Sequence, residues 1–370
     1  MTISAIRSHL LDGHAIPAQP LALDAQRTFS ERHQRAITRY YMAAGVGGLA
    51  VGVHSTQFEI REPQHGLFKP VLELAARTID EELRKTPRPF IKIAGVCGRT
   101  EQALREAEIA QGYGYHAGLL SLSAYKNDTE DEMIAHCRRV AEVFPVVGFY
   151  LQPAAGGRLL GYSFWRRFAE IPNVVAIKIA PFNRYQTIDV VRAVVEAGRD
   201  DIAIYTGNDD SIVVDLLTPF TFDVNGKKVT RHIAGGLLGH WGVWTRQAVA
   251  LLNDLKRARR NATLDAQWLD TAIAVTDMNA ALFDSANKFA GCIPGILEVL
   301  RRQGLVPTNL CLNPHEVLSP GQAEELTRVA AAYPELTDDA FVAEHLSRWL
   351  SRGLALRDGQ KKTGALRGAG

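Results

Sequence analysis

Asn173-Val174-Val175-Ala176-Ile177-Lys178-Ile179-Ala180-Pro181 is a short apolar run, rich in β-branched residues, with one lysine inside it. Pro172 and Pro181 bound it, and neither can donate to a sheet ladder. Such a run predicts a strand buried on both faces, as in a parallel sheet with helices packed over it. Burying the Lys178 ammonium is costly, and desolvation disfavours the charged form, so the amine is expected to titrate nearer the working pH. A neutral amine at a strand end can add to a ketone and form an imine. The plainer alternative is a lysine just past the strand whose stem snorkels to water, which is the commoner fate of a lysine.

Working outward from this strand, short apolar runs alternate with helical spacing on both sides. Strands are expected near residues 14–23, 49–53, 89–96, 118–122, 146–150, 202–206 and 230–236. Helices are expected over 31–44, 63–84, 100–111, 130–143, 163–170, 187–198 and 210–217, with Ser30 and Thr129 as N-caps and Gly45 ending the first of them. Eight strands alternating with helices predict a (β/α)8 TIM barrel over residues 14–241. A doubly wound sheet is the runner-up, but no G-x-G-x-x-G follows the first strand. Asn225-Gly226 sits between alternating residues and predicts a small β-hairpin inserted before the last barrel strand. From residue 242 to 350 only helical patterns remain, a C-terminal helical extension. Residues 1–13 and the Gly-, Lys- and Arg-rich residues 357–370 are expected to be flexible termini.

The chain has 370 residues, 42 Lys+Arg and 40 Asp+Glu, a formal net charge of +2. So balanced a charge gives no sign of nucleic-acid or acidic-membrane binding. Cys97, Cys137, Cys292 and Cys311 are widely spaced, fit no zinc motif and are expected to be buried thiols in a reducing compartment. With no signal-peptide core in the first residues and no apolar run of membrane-spanning length, a cytoplasmic protein is expected.

In such a barrel the working groups lie at the C-terminal strand ends and in the loops after them. That rule selects His54, Ser55 and Thr56 after the second strand and Tyr125 after the fourth. It also selects Tyr150 ending the fifth, Lys178 in the sixth, Asn208 and Asp209 after the seventh, and Gly235 ending the eighth. Tyr150 lies one βα unit before Lys178, so both are expected to face one mouth, the phenol relaying protons to an imine carbon or a departing hydroxyl; half-buried packing is the ordinary use of a strand tyrosine. His54, Ser55 and Thr56 could take a carboxylate, Asn208 and Asp209 could orient hydroxyls or simply form turns, and Gly235 would let backbone approach a ligand. His116, His232 and His240 lack metal-ligand spacing, so neither metal nor cofactor is expected.

Several of these segments together resemble the dihydrodipicolinate synthase / N-acetylneuraminate lyase family. Tyr150-Leu151-Gln152-Pro153 resembles its Y-N-x-P, Val174 to Lys178 its imine-lysine strand, Gly207-Asn208-Asp209 its G-D-D, and Cys292-Ile293-Pro294 the start of its C-terminal helix. The resemblance covers roughly residues 14–307 and implies a class I aldolase: Lys178 forming a Schiff base with a 2-keto acid of the pyruvate type, Tyr150 catalytic, the assembly a homo-oligomer, tetramer or dimer. Gly52-Val53-His54-Ser55-Thr56 departs from the family's carboxylate-binding G-T-T-G-E, Ser123-Ala124-Tyr125-Lys126 from its T-P-Y-Y, and Lys178-Ile179 from its K-E. Ala155 stands where the synthases carry a substrate-gripping arginine, which argues against dihydrodipicolinate synthesis itself. The expectation is therefore a lyase acting on a keto acid. The alternatives are a keto-sugar-acid dehydratase on the same imine platform and a binding or regulatory homologue that has lost turnover.

Overall fold

The computed structural model describes residues 1–153 and 156–351. Ala155 and the 357–370 tail, both singled out in the sequence, lie outside the described residues. Strands β1 (Ala15–Pro17), β2 (Gly48–Val51), β3 (Ile91–Val96), β4 (Ala117–Leu120), β5 (Val146–Leu151), β6 (Val174–Ala180) and β7 (Ala203–Thr206) belong to one eight-stranded parallel sheet. After the antiparallel hairpin β8 (Phe220–Val224) and β9 (Lys227–Arg231), β10 (Gly235–Leu238) completes it between β7 and β1. The sheet closes between β1 and β2, where Gly47 N donates to Ala15 O at 3.1 Å and Gln19 N to Ala50 O at 2.9 Å. This is a (β/α)8 barrel.

The intervening helices are α2 (Glu31–Ala44), α3 (Phe68–Lys85), α4 (Thr100–Gly112), α5 (Glu130–Val143), α6 (Tyr162–Ala169), α7 (Arg184–Glu196) and α8 (Ile212–Leu217). Their ends follow local chemistry. Thr129 Oγ1 accepts from Glu132 N at 3.3 Å while the Glu132 carboxylate accepts from Thr129 N at 2.8 Å, a reciprocal cap that starts α5. Gly45, at φ 95°, supplies the left-handed residue that ends α2. After the barrel come α9 (Thr245–Ala258), α10 (Gln267–Phe283), α11 (Cys292–Arg302), α12 (Gln322–Ala332) and α13 (Asp339–Leu350).

Two expectations fail here. Residues 1–13, expected to be flexible, hold helix α1 (Ile3–Asp12), whose Ile6 and Leu10 are buried against the barrel's inner cluster. The hydroxyl of Tyr205 ties that helix down by donating to Leu10 O at 2.9 Å. The last barrel strand, expected at 230–236, begins only at Gly235, because Thr230 and Arg231 are consumed by the hairpin. Among the described residues no helix is long and apolar enough to cross a membrane.

Each strand alternates between the lumen and the helix layer, so its residues sort by parity. Val147, Phe149, Ala176, Ala180, Ala203 and Tyr205 share the inner cluster. Tyr150, Ile177, Ile179 and Ile204 share the outer one with Phe164, Trp165 and Phe168 of α6. A Cβ on Gly148 would stand 2.6 Å from the Phe168 ring, which fixes that position, and Tyr150 two residues on, as facing the helices.

Candidate active site

Lys178 pairs with Phe149 on β5 and with Tyr205 on β7, so its side chain points into the lumen. It is part-exposed towards the mouth, and its Nζ lies 4.5 Å from the centroid of the Phe149 ring. Gly207 makes room for the stem: a Cβ there would come within 2.5 Å of Lys178 Cε and 2.8 Å of Ala180 Cβ. Burial pulls the Lys178 ammonium well below the ordinary lysine range, and the charge of Asp209 pulls against it.

Asp209 is the acid whose charge acts on this lysine. It is buried, and its Oδ1 accepts from His240 N at 3.2 Å. Burial pushes its carboxyl up, opposed by Lys178 and by the His240 N–H. The His240 ring, pushed down to about 4 by burial, is held through Nδ1 by Asn279 Oδ1 of α10 at 3.1 Å. Asn208 takes a different part. Its Nδ2 donates to Thr187 Oγ1 and Asp215 Oδ2, both at 2.9 Å, and its Oδ1 accepts from Phe182 N at 3.0 Å. Parity explains the split: Gly207 and Asp209 follow the lumen face of β7, Thr206 and Asn208 the helix face.

The loop after β2 carries a 3-10 turn, His54–Thr56. His54 is near enough to Lys178 for the two charges to repel; burial first, and Lys178 second, hold its ring at about 4. Ser55 Oγ is buried with no hydrogen-bond partner among the described residues. Thr56 Oγ1 accepts from Gly52 N at 3.0 Å and Val53 N at 3.2 Å and donates to Gln19 O at 2.7 Å, so this hydroxyl is spent on shaping its own loop. Beneath it, Arg61 Nη2 donates to the carbonyls of Gly52 and Gly95, both at 3.0 Å, and Arg61 Nε bonds the buried Glu106 at 3.0 Å. Glu106 also accepts from Cys97 N at 3.0 Å, so one buried ion pair pins the ends of β2 and β3.

Three of the residues picked from the sequence lie elsewhere. Tyr150 pairs with Ile179, faces the helices and packs its ring 5.3 Å from that of Trp165. Its hydroxyl accepts from Leu160 N at 3.2 Å. The reason is parity: the lumen-facing ring of this strand end is its neighbour Phe149. Tyr125 is buried in the outer cluster, its hydroxyl 3.0 Å from Thr100 Oγ1 and its ring 4.5 Å from that of His136. Gly235 opens β10 at the base of the barrel, where a Cβ would collide with the His14 backbone.

Phe149, His240 and Cys292 also lie around Lys178 and Asp209, and reading the sequence put none of them beside the lysine. Counting parity along β5 could have found Phe149, but nothing near Cys292 in sequence ties it to the lysine. Its thiol lies within electrostatic reach of Lys178 and Asp209, and burial pushes it far above the ordinary thiol range.

Residues 15–235 match the Dihydrodipicolinate synthetase family. A 4-hydroxy-tetrahydrodipicolinate synthase of Thiobacillus denitrificans is 29% identical over 66% of this chain and 73% of its own length. That of Aromatoleum aromaticum is 28% identical over 50% of this chain, an alignment spanning only 59% of that relative. The crystal structure of a dihydrodipicolinate synthase from Acinetobacter baumannii, complexed with pyruvate, covers 89% of this chain and 99% of its own at a TM-score of 0.68 and 18% identity, a likeness of fold.

Proposed function

The chain belongs to the dihydrodipicolinate synthetase family, and from that premise we propose that it is a Schiff-base-forming lyase in which Lys178 condenses with a 2-keto acid of the pyruvate type and Asp209 moves the protons. One observation carries the reading: an amine depressed by burial points into the barrel mouth, with the buried Asp209 carboxyl within electrostatic reach. The Lys178 amine adds to C2 of the keto acid and water leaves, giving the imine. The imine nitrogen is the electron sink, so a C3 proton passes to Asp209 and leaves an enamine. C3 then bonds to an aldehyde carbon, whose oxygen takes the proton back, and hydrolysis of the C=N bond frees the amine. Cleavage is the same path reversed. His54, neutral at working pH, and the unpaired Ser55 hydroxyl are the groups we assign to the keto-acid carboxylate.

Tyr150 has no place in this scheme. The dehydratase alternative needs polar side chains to hold a polyol, and those of Thr56 and Asn208 are already bonded within the protein. A homologue that binds without turnover is favoured by one feature: the ring 4.5 Å from Lys178 Nζ is that of Phe149, which carries no hydroxyl. Exchange of the pyruvate C3 protons for deuterium, followed by NMR, separates the cases. A lyase exchanges them and Lys178→Ala stops it, whereas a binding homologue is stabilised by pyruvate without exchange.

A further inference from the structure

Beside Asp209, His54 and Ser55, the lysine end of the barrel carries an apolar surface. Val53, Phe149 and Ala180 belong to the inner apolar cluster at this end of the barrel, and Leu151 packs against it. Three polar side chains of the surrounding loops are spent on the protein itself: Thr56 on Gln19, Asn208 on Thr187 and Asp215, Ser121 on Ser123 at 3.0 Å. Hydroxyls laid against that apolar surface would lose their water without gaining a partner, which is costly.

A second observation points the same way. Phe182 lies two residues beyond β6, its N–H held by Asn208, and Phe289 lies three residues before Cys292. Both rings are part-exposed at this rim, and they meet edge to face with centroids 5.7 Å apart. Both residues also sit in the left-handed backbone region, Phe182 at φ 53° and Phe289 at φ 67°. Bulky side chains rarely adopt that conformation, and such strain persists where the surroundings impose it, often at ligand clamps. The barrel supplies one ring and the C-terminal helical region the other.

We propose that the second substrate, the aldehyde joined to or released from the keto acid, carries an apolar tail, aryl or branched alkyl, which lies against the Phe182–Phe289 pair. The assignment rests on the imine reading of Lys178.

The test compares pyruvate-dependent aldol addition to benzaldehyde, isobutyraldehyde and glyceraldehyde, with borohydride trapping of pyruvate run alongside. The expected result is a kcat/KM for the two apolar aldehydes at least about tenfold above that for glyceraldehyde. Phe182→Ala and Phe289→Ala should each lower the apolar values by about tenfold and leave that for glyceraldehyde within about twofold. Phe289→Leu, which keeps an apolar contact, should retain most of the preference, and a thermal melt of each variant checks that it is folded. Trapping at Lys178 with glyceraldehyde preferred, or a uniform loss across the three aldehydes in the folded variants, overturns the apolar assignment alone. Absence of trapping in the wild-type protein overturns it together with the reading beneath it.

Discussion

Phe149 and Lys178 are register partners on adjacent strands, and the lysine nitrogen stands 4.5 Å from the centre of the phenylalanine ring. The neighbouring Tyr150 therefore faces away from the lysine, against Trp165. Tyr150→Phe should lower kcat by less than about tenfold, against the roughly 10²–10⁴-fold supplied by a positioned acid–base group. It should cost about 1 kcal/mol of stability through the lost hydrogen bond to Leu160 N. Steady-state kinetics and urea unfolding check the two halves.

Asp209→Asn should lower kcat by on the order of 10²–10⁴-fold if the carboxyl carries the protons. The same change should move the pH profile. The Asp209 charge holds the Lys178 pKa up, so its removal shifts the rising limb of imine formation to lower pH. A limb that stays put, or moves up, contradicts the assignment.

Gly207→Ala places a methyl 2.5 Å from Lys178 Cε. The stem must move aside, so imine formation should fall sharply while overpacking costs about 1–3 kcal/mol of stability. Pyruvate-dependent trapping and a thermal melt separate these effects.

Acid should destabilise the fold well above the carboxylate range. Burial holds the rings of His136 and His240 at about 4 in the folded chain, below the ordinary value of 6.5. Between those values the unfolded chain binds protons that the folded one does not, so stability is lost as pH falls from 6.5 towards 4. Each ring contributes on the order of 1 kcal/mol per pH unit, readable as a falling urea midpoint.

Glu106→Gln leaves the Arg61 guanidinium buried without its counter-charge, and should cost on the order of 3–5 kcal/mol. Because that ion pair pins the ends of β2 and β3, the loss should come with weaker pyruvate binding at the His54–Ser55 loop. Unfolding and pyruvate titration measure both.

The barrel was legible because it is written in local patterns: the 173–181 run, the Thr129 cap, the Asn225-Gly226 turn. The place of Lys178 inside a buried barrel strand was legible because a charge inside such a run stands out. Tyr150 misled because parity is a property of register, and a one-residue difference turns a side chain from lumen to helix layer. Gly235 misled because the hairpin borrowed two residues expected in the last strand. Helix α1 hid behind a short, weakly amphipathic sequence whose buried residues find their partners only in the closed barrel. Cys292 and Phe289 come to the mouth from more than 100 residues beyond Lys178, through packing of the C-terminal helices that no local spacing reveals.

Reduction with borohydride in the presence of pyruvate, followed by peptide mass mapping, bears most directly on the lysine. The account predicts the mass of reduced pyruvate on the peptide carrying Lys178, dependent on pyruvate and absent from Lys178→Ala. No adduct at saturating pyruvate, or an adduct on a different lysine, would contradict it.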